Sequence, residues 1–431
     1  MALLHFSSHQ AAAILTRCLP ALSSSYLLSR RSYRPEVLQR AKDRIRQDKK
    51  PLHRVIEEML DLEPVIKRPQ SERIPDSHPQ YTTRVPMGPT NPHYHEKPAY
   101  IFNHDVQLGE GIQQALWLTK SQLMGDGQMP SQVQELASSL EIPDMENKVE
   151  QSIKQCRLYD TPSSMLSMDR FSFRQTKALT RLGSLLGKDY PELLNRAQAN
   201  NYYVGASWTR DNDAIQVRGR PGMILTSKNP LPVLASQDEI NQTVDVPLES
   251  FYPLAPTIDL RSSTIYKEDY NFPGFFDGYP FPHAHTLFVF ATYFKNSEAY
   301  KAKGIMFAFA NALCRAKQQY GVEEIDLPTP IVTQCIVTNG VKFSFIHVQL
   351  NTLRLDSSDG PKNMVWLDAE NPLYLDMYPQ NIKIYRTKGN RKTDKRYWKP
   401  LVKRDPELGC RELDVGVFKK FLGCYLNGAV H

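Results

Sequence analysis

Between Lys383 and Arg404, ten lysines and arginines stand against a single acid, Asp394. The cations are Lys383, Arg386, Lys388, Arg391, Lys392, Lys395, Arg396, Lys399, Lys403 and Arg404, with Tyr385, Tyr397 and Trp398 interleaved among them. Ammonium and guanidinium groups suit phosphate oxygens, and flat aromatic faces suit unstacked bases or sugar edges. Each phosphate so neutralised releases condensed counterions, so binding through this stretch weakens steeply with salt. The bland alternative is a solvated basic loop. Arg40, Arg44 and Arg46 repeat the pattern more weakly. Together these residues describe anchorage on structured RNA through backbone charge and shape.

A second group, Asp277, His283 and His285, offers different chemistry. His-x-His on a strand places two imidazoles on one face, where they would suit a metal or an active site, although a third ligand must come from elsewhere. His93, His95 and His104 pose the same question in a proline-rich segment. Histidines of this kind are more often satisfied core or surface residues. The sequence contains no Gly-x-x-x-x-Gly-Lys-[Ser/Thr], Gly-x-Ser-x-Gly or His-Glu-x-x-His. Gly205, Gly219 and Gly222 lack the spacing of a dinucleotide fingerprint. On this reading no catalytic residue, metal, cofactor or small-molecule substrate is assigned. The six cysteines are far apart and never form Cys-x-x-Cys, so buried free thiols are expected.

Charge is distributed unevenly among the segments that must carry these groups. The chain has a formal net charge of +7. No acid precedes Glu36, whereas Arg17, Arg30, Arg31 and Arg34 stand among serines and small apolar residues. Residues 1–33 therefore read as a mitochondrial import leader, cut near Arg34. Without them the charge is +4, and because 383–404 alone contributes +9, the remainder sums to −5. That asymmetry points to one local polyanionic contact on an otherwise ordinary surface. No run reaches the roughly 18 apolar residues of a membrane-spanning helix.

Residues 34–98 form the next segment. A basic helix is predicted over 34–63, with Pro35 in the first turn. Nine prolines between 51 and 98 argue for an extended arm. The body, 99–431, divides into a helical part to about 200 and a sheet-containing part from 201. Helical spacing runs through Gly111 to Met124, over 145–159 and over 163–186, with a short helix opened by Pro191. Around Tyr203 the period changes to that of strands, and Thr209 to Asp213 suit a hairpin loop. The runs from Ile331 and from Val341 flank Asn339-Gly340, a dipeptide that favours a type I′ turn. A buried helix is predicted from Ala299 to Tyr320 and a last amphipathic one from Val415 to Leu426. The expected architecture is α+β rather than doubly wound: a helical N-terminal block, then a mixed, mainly antiparallel sheet with packed helices, behind an extended N-terminal arm.

Several stretches resemble the animal mitochondrial large-subunit ribosomal protein thirty-seven family. They include Gln114 to Lys120, Ile215 to Gly219, Asn229 to Pro232, Phe251 to Pro253, Ile258 to Leu260, Gly278 to Pro280, His285 to Leu287, Phe307 to Phe309 and Gln349 to Thr352, in that order, together with Phe418, Phe421, Leu422 and Tyr425. The resemblance implies a structural component of the mitochondrial large ribosomal subunit in the matrix, supporting translation with no catalytic role of its own. Its implied partners are mitochondrial rRNA and other large-subunit proteins. One of these is a related mitoribosomal protein, programmed cell death protein nine, paired side by side as a heterodimer. The alternatives are a matrix enzyme or metal site around Asp277, His283 and His285, and an RNA-binding factor outside the ribosome.

Overall fold

In the computed structural model the described residues are 97–156, 168–265, 270–275, 278–291, 297–377 and 410–429. Their elements in chain order are β1 (Lys97–Phe102), α1 (Gly111–Leu118), β2 (Ser121–Met124), α2 (Ser131–Ser139), α3 (Met145–Lys154), α4 (Met168–Ser184), β3 (Arg196–Asn200), β4 (Val204–Arg210), β5 (Asp213–Gly219), β6 (Gly222–Ser227) and α5 (Gln237–Gln242). Then follow β7 (Arg261–Ile265), β8 (His283–Phe290), α6 (Ser297–Tyr320), β9 (Asp326–Thr338), β10 (Lys342–Thr352), β11 (Asn363–Pro372), β12 (Asp376–Met377), β13 (Cys410–Arg411) and α7 (Val415–Leu426). Among the described residues no helix is long and apolar enough to cross a membrane.

The architecture is α+β. Seven strands form one sheet in the order β2-β11-β10-β9-β8-β6-β3, and four form another in the order β4-β5-β1-β7. Both are mixed: β2 runs parallel to β11, β8 to β9 and β1 to β5, while the other neighbours are antiparallel. Helix α6 packs on β8, β9 and β10 of the large sheet and on β4 and β5 of the small one. Being enclosed on both sides, it is apolar nearly all round, with Ile305, Met306, Phe307, Phe309 and Leu313 all fully buried. Side chains of this size contribute about 1.5–3 kcal/mol each when removed from water. At Gly304 the helix comes so near the sheet that a Cβ would lie 2.7 Å from both Ile346 Cδ1 and Val337 Cγ2. The opposite face of the large sheet is covered by α7 with α2, α3 and α4, around Phe288, Phe343, Phe345, Phe418 and Phe421.

The predicted hairpin at 203–218 forms with β4 and β5 joined by Asp211 and Asn212, both at positive φ, as a two-residue primed turn requires. The second hairpin, β9–β10, also forms, but its turn is not type I′. That turn needs positive φ at two central residues, and here Gly340 has it (+85°) while Asn339 does not. Instead Asn339 Oδ1 accepts from the amides of Val341 (2.9 Å) and Lys342 (2.8 Å). A Cβ at Gly340 would meet Phe171 at 2.5 Å, so contact with α4 leaves room only for glycine. The predicted helix through Met124 is corrected too. It stops at Leu118, Lys120 takes φ +48°, and Ser121–Met124 pairs with Asn363–Trp366 as a strand. Helices α6 and α7 lie where apolar spacing placed them.

Candidate interaction site

Every residue assigned to nucleic-acid contact, from Lys383 to Arg404 and at Arg40, Arg44 and Arg46, lies outside the described residues. The structure does define the base from which the main basic stretch departs. Strands β12 and β13 pair antiparallel, with Asp376 opposite Arg411 and Met377 opposite Cys410. The two ends of the 32-residue segment between them are therefore held side by side.

This stem is fastened to the body on several sides. Leu375 N donates to Arg411 O at 3.1 Å, extending the ladder, while Leu373 N donates to Val341 O and Asp414 N to Leu373 O, each at 2.8 Å. From α3, the Glu150 carboxylate accepts from Cys410 N at 2.8 Å. Leu373 and Tyr374 are fully buried in the apolar cluster beneath α7. Sequence reasoning missed these groups. Glu150 lies 260 residues before its partner, and only the folded chain joins them.

Helix α7, which follows the stem directly, is locked at both ends. Asp414 caps its start by accepting from Gly416 N at 2.8 Å. At its other end Asn427 O accepts from Arg196 (2.9 Å) and from His285 Nε2 (2.9 Å), and Arg196 also donates to Tyr425 O. A carbonyl oxygen only accepts, so His285 carries its proton on Nε2, and Nδ1 accepts from the Thr286 hydroxyl at 2.7 Å. Burial, with the Arg196 cation beside it, pushes the His285 imidazole well below its ordinary pKa and keeps it neutral. Gln334 completes the lock, donating to Cys424 O and Thr286 Oγ1 and accepting from Asn427 Nδ2, all at 3.1 Å.

The histidine site is therefore corrected. Residues two apart share a face only in a regular strand, and β8 carries a bulge: Leu225 pairs with Thr286 and Thr226 with Ala284, leaving His285 extra. His285 consequently turns toward Asn427. His283 lines a cavity of about 80 Å³ with Arg315, Gln319 and Tyr320 of α6, far smaller than the ~300–1,000 Å³ of small-molecule pockets. Burial, then the nearby Arg315, lowers His283 to about 4. Asp277 lies outside the described residues, as do His93 and His95. Among the described residues no three His, Cys, Asp or Glu side chains are grouped to hold a metal ion. Cys156, Cys314, Cys335 and Cys424 are buried cysteines, as expected, and Cys410 is half-buried.

A second set of buried cations stabilises the body at the end of β4. Arg210 donates to Trp117 O (2.8 Å), Leu355 O (3.1 Å), Asp356 O (3.0 Å) and Ser358 Oγ (2.7 Å), and lies 4.5 Å over the Trp117 ring. Lys120 Nζ donates to Arg354 O and Asp359 O, and Lys362 Nζ to Val244 O and Gly360 O. Burial first, then the cations of Lys362 and Arg210, lowers Lys120 to about 8. These three side chains tie the 353–362 loop to α1 and β4, so they serve the fold and are not free to meet phosphates.

The described body spends Arg210, Lys120, Lys362 and Arg196 on internal carbonyls and holds the two ends of the 378–409 segment side by side. Comparison with known proteins gives the family. A model of the family described as "Mitochondrial 28S ribosomal protein S30 (PDCD9)" matches residues 294–428. Proteins named "Large ribosomal subunit protein mL37" are 35% identical over 362 residues in Gallus gallus, covering 80% of both chains. In Rattus norvegicus the identity is 35% over 352 residues, covering 79% of this chain and 77% of the relative. The Mus musculus relative is also 35% identical, over 350 residues, covering 78% of this chain and 77% of its own. The two names point to different ribosomal subunits. The mL37 relatives match about four-fifths of the chain and the family model less than a third, so the former decide. The chain belongs to the large ribosomal subunit protein mL37 family.

Proposed function

We propose that this protein is a structural component of the mitochondrial large ribosomal subunit, in the matrix, supporting translation by contact and performing no catalysis of its own. The similarity to mL37 proteins along four-fifths of the chain carries the reading. The β12–β13 pairing supports it physically, because the sequence between the two strands carries the ten cations from Lys383 to Arg404. In this reading those cations, with Arg40, Arg44 and Arg46, lie against rRNA phosphates, and the α+β body docks on neighbouring ribosomal proteins. One neighbour is a paralogue, forming a heterodimer. The match to the PDCD9 family over α6, β9 to β11 and α7 supports a shared ancestry for such a pair.

Sucrose-gradient fractionation of mitochondrial lysate tests the assignment. The chain should sediment with free large subunits and with whole ribosomes, and move from the whole-ribosome peak to the large-subunit peak when the subunits are dissociated. Recovery in light fractions alone would reject it in favour of an RNA-binding factor acting outside the ribosome.

A further inference from the structure

From Asn229 to Leu260 the chain has five acids, Asp238, Glu239, Asp245, Glu249 and Asp259, and no lysine, arginine or histidine. In a protein of net charge +7 this is the reverse of the basic stretch. The same run carries exposed apolar side chains: Tyr252 is 91% exposed, Leu254 45% and Ile258 38%.

The loop that displays them is held from behind. Phe251 packs edge-on against Trp117 of α1, with ring centroids 6.0 Å apart. Gln114, fully buried on α1, donates to Pro256 O (2.8 Å) and Ile258 O (3.0 Å). Thr257 and Leu260 are buried on either side of Ile258. The Asp259 carboxylate lies so close to Gly109 that a Cβ there would sit 2.8 Å from Oδ2. Beside it opens a cleft of about 430 Å³ whose lining includes Glu110, Asp259 and Glu298, the last paired with Lys301 at 2.7 Å. The first cation after the loop is Arg261, at the start of β7.

An exposed aromatic on a clamped loop loses little conformational freedom when covered, and so suits an interface anchor. The surrounding sign of charge decides what covers it. Phosphates would be repelled by Glu110, Glu249 and Asp259, whereas lysine or arginine would be attracted. We propose that the face formed by Tyr252, Leu254 and Ile258, bordered by Glu110, Glu249 and Asp259, docks a cationic protein segment with an apolar anchor, and not rRNA. The proposal deepens the ribosomal reading and rests on it.

A benzophenone-bearing phenylalanine in place of Tyr252 tests it, in the full-length chain irradiated within gradient-purified large subunits. The expected product is a crosslink to one neighbouring protein, at a peptide with Lys or Arg within a helical turn of the attachment point. Crosslinks to rRNA, to a peptide without such a cation, or to no macromolecule in subunits that contain the chain would each overturn the proposal. Combined Glu110→Lys and Glu249→Lys should lower the crosslink yield at low salt by about threefold, the scale of losing one or two exposed ion pairs. An unchanged yield overturns the charge argument. If reversal prevents entry into the subunit, Glu249→Gln, which keeps the shape, gives the same readout. Absence of the unaltered chain from the subunit peak would instead sink the ribosomal reading, and the docking proposal with it.

Discussion

Replacing Arg210 by methionine should cost roughly 3–4 kcal/mol of stability. Methionine keeps an unbranched stem of similar length but removes the charge and every donor. Four hydrogen bonds disappear, to Trp117 O, Leu355 O, Asp356 O and Ser358 Oγ. At about 1 kcal/mol net each they contribute roughly 4 kcal/mol. The lost contact over the Trp117 ring adds about 0.5–1 kcal/mol. Two effects subtract. Acceptors near the surface regain water, and the repulsion that Arg210 exerts on Lys120 is relieved. At the roughly 2–3 °C per kcal/mol expected for a body of this size, the melting temperature should fall by about 6–12 °C. Differential scanning fluorimetry of the recombinant chain reads this directly. Arg210→Lys should recover less than half the loss, because one ammonium cannot span acceptors from α1 and the 355–358 loop together. A methionine variant melting within about 1 °C of wild type, or a lysine variant equal to it, would refute the claim that this fork joins the two segments.

Stability should also decline as pH falls from 6.5 towards 4. Burial holds His347 down to about 3 and His283 to about 4, and pushes His285 well below the ordinary range. Once unfolded, each imidazole returns to about 6.5 and takes a proton that the folded site refuses, so acid favours the unfolded chain. Urea midpoints at pH 7 and pH 5 should separate, and His347→Leu should narrow the gap; coincident midpoints would contradict the burial argument. Gly304→Ala should destabilise by about 1–3 kcal/mol in denaturant titrations despite alanine's better helix propensity, because its methyl meets Ile346 and Val337. Gly187→Ala, with open space at the same test, should not. Changing Arg391, Lys392, Lys395 and Arg396 together to alanine should weaken rRNA binding and flatten its dependence on log salt by up to about 3–4 units, read by filter binding across a salt series. An unchanged slope would remove that stretch from the contact.

Legibility in the sequence followed how local each cause was. Helices α6 and α7 were readable because long apolar patterns specify them, and the β9–β10 hairpin because two β-rich runs flank a turn dipeptide. Errors arose where a distant segment decided. Helix α1 ends early because Ser121 to Met124 find partners at Asn363 to Trp366. At Gly340, Phe171 of α4 leaves no space for a side chain, a constraint from a distant segment. His283 and His285 part company through one extra residue in β8, which alternation alone cannot reveal. Charge in the basic stretch was legible, but the attachment that presents it was not, because Asp376 and Arg411 are 35 positions apart and their pairing leaves no periodic trace.

That pairing separates two evolutionary problems. Once both ends of an insert are fixed side by side, doubling its length costs only about 0.6 kcal/mol in closure entropy. If that segment meets rRNA as proposed, it is exchangeable cargo: its length and charge can change to follow a drifting RNA surface. The scaffold's hydrophobic interior, ending with α7 just beyond the splice, need not be renegotiated each time.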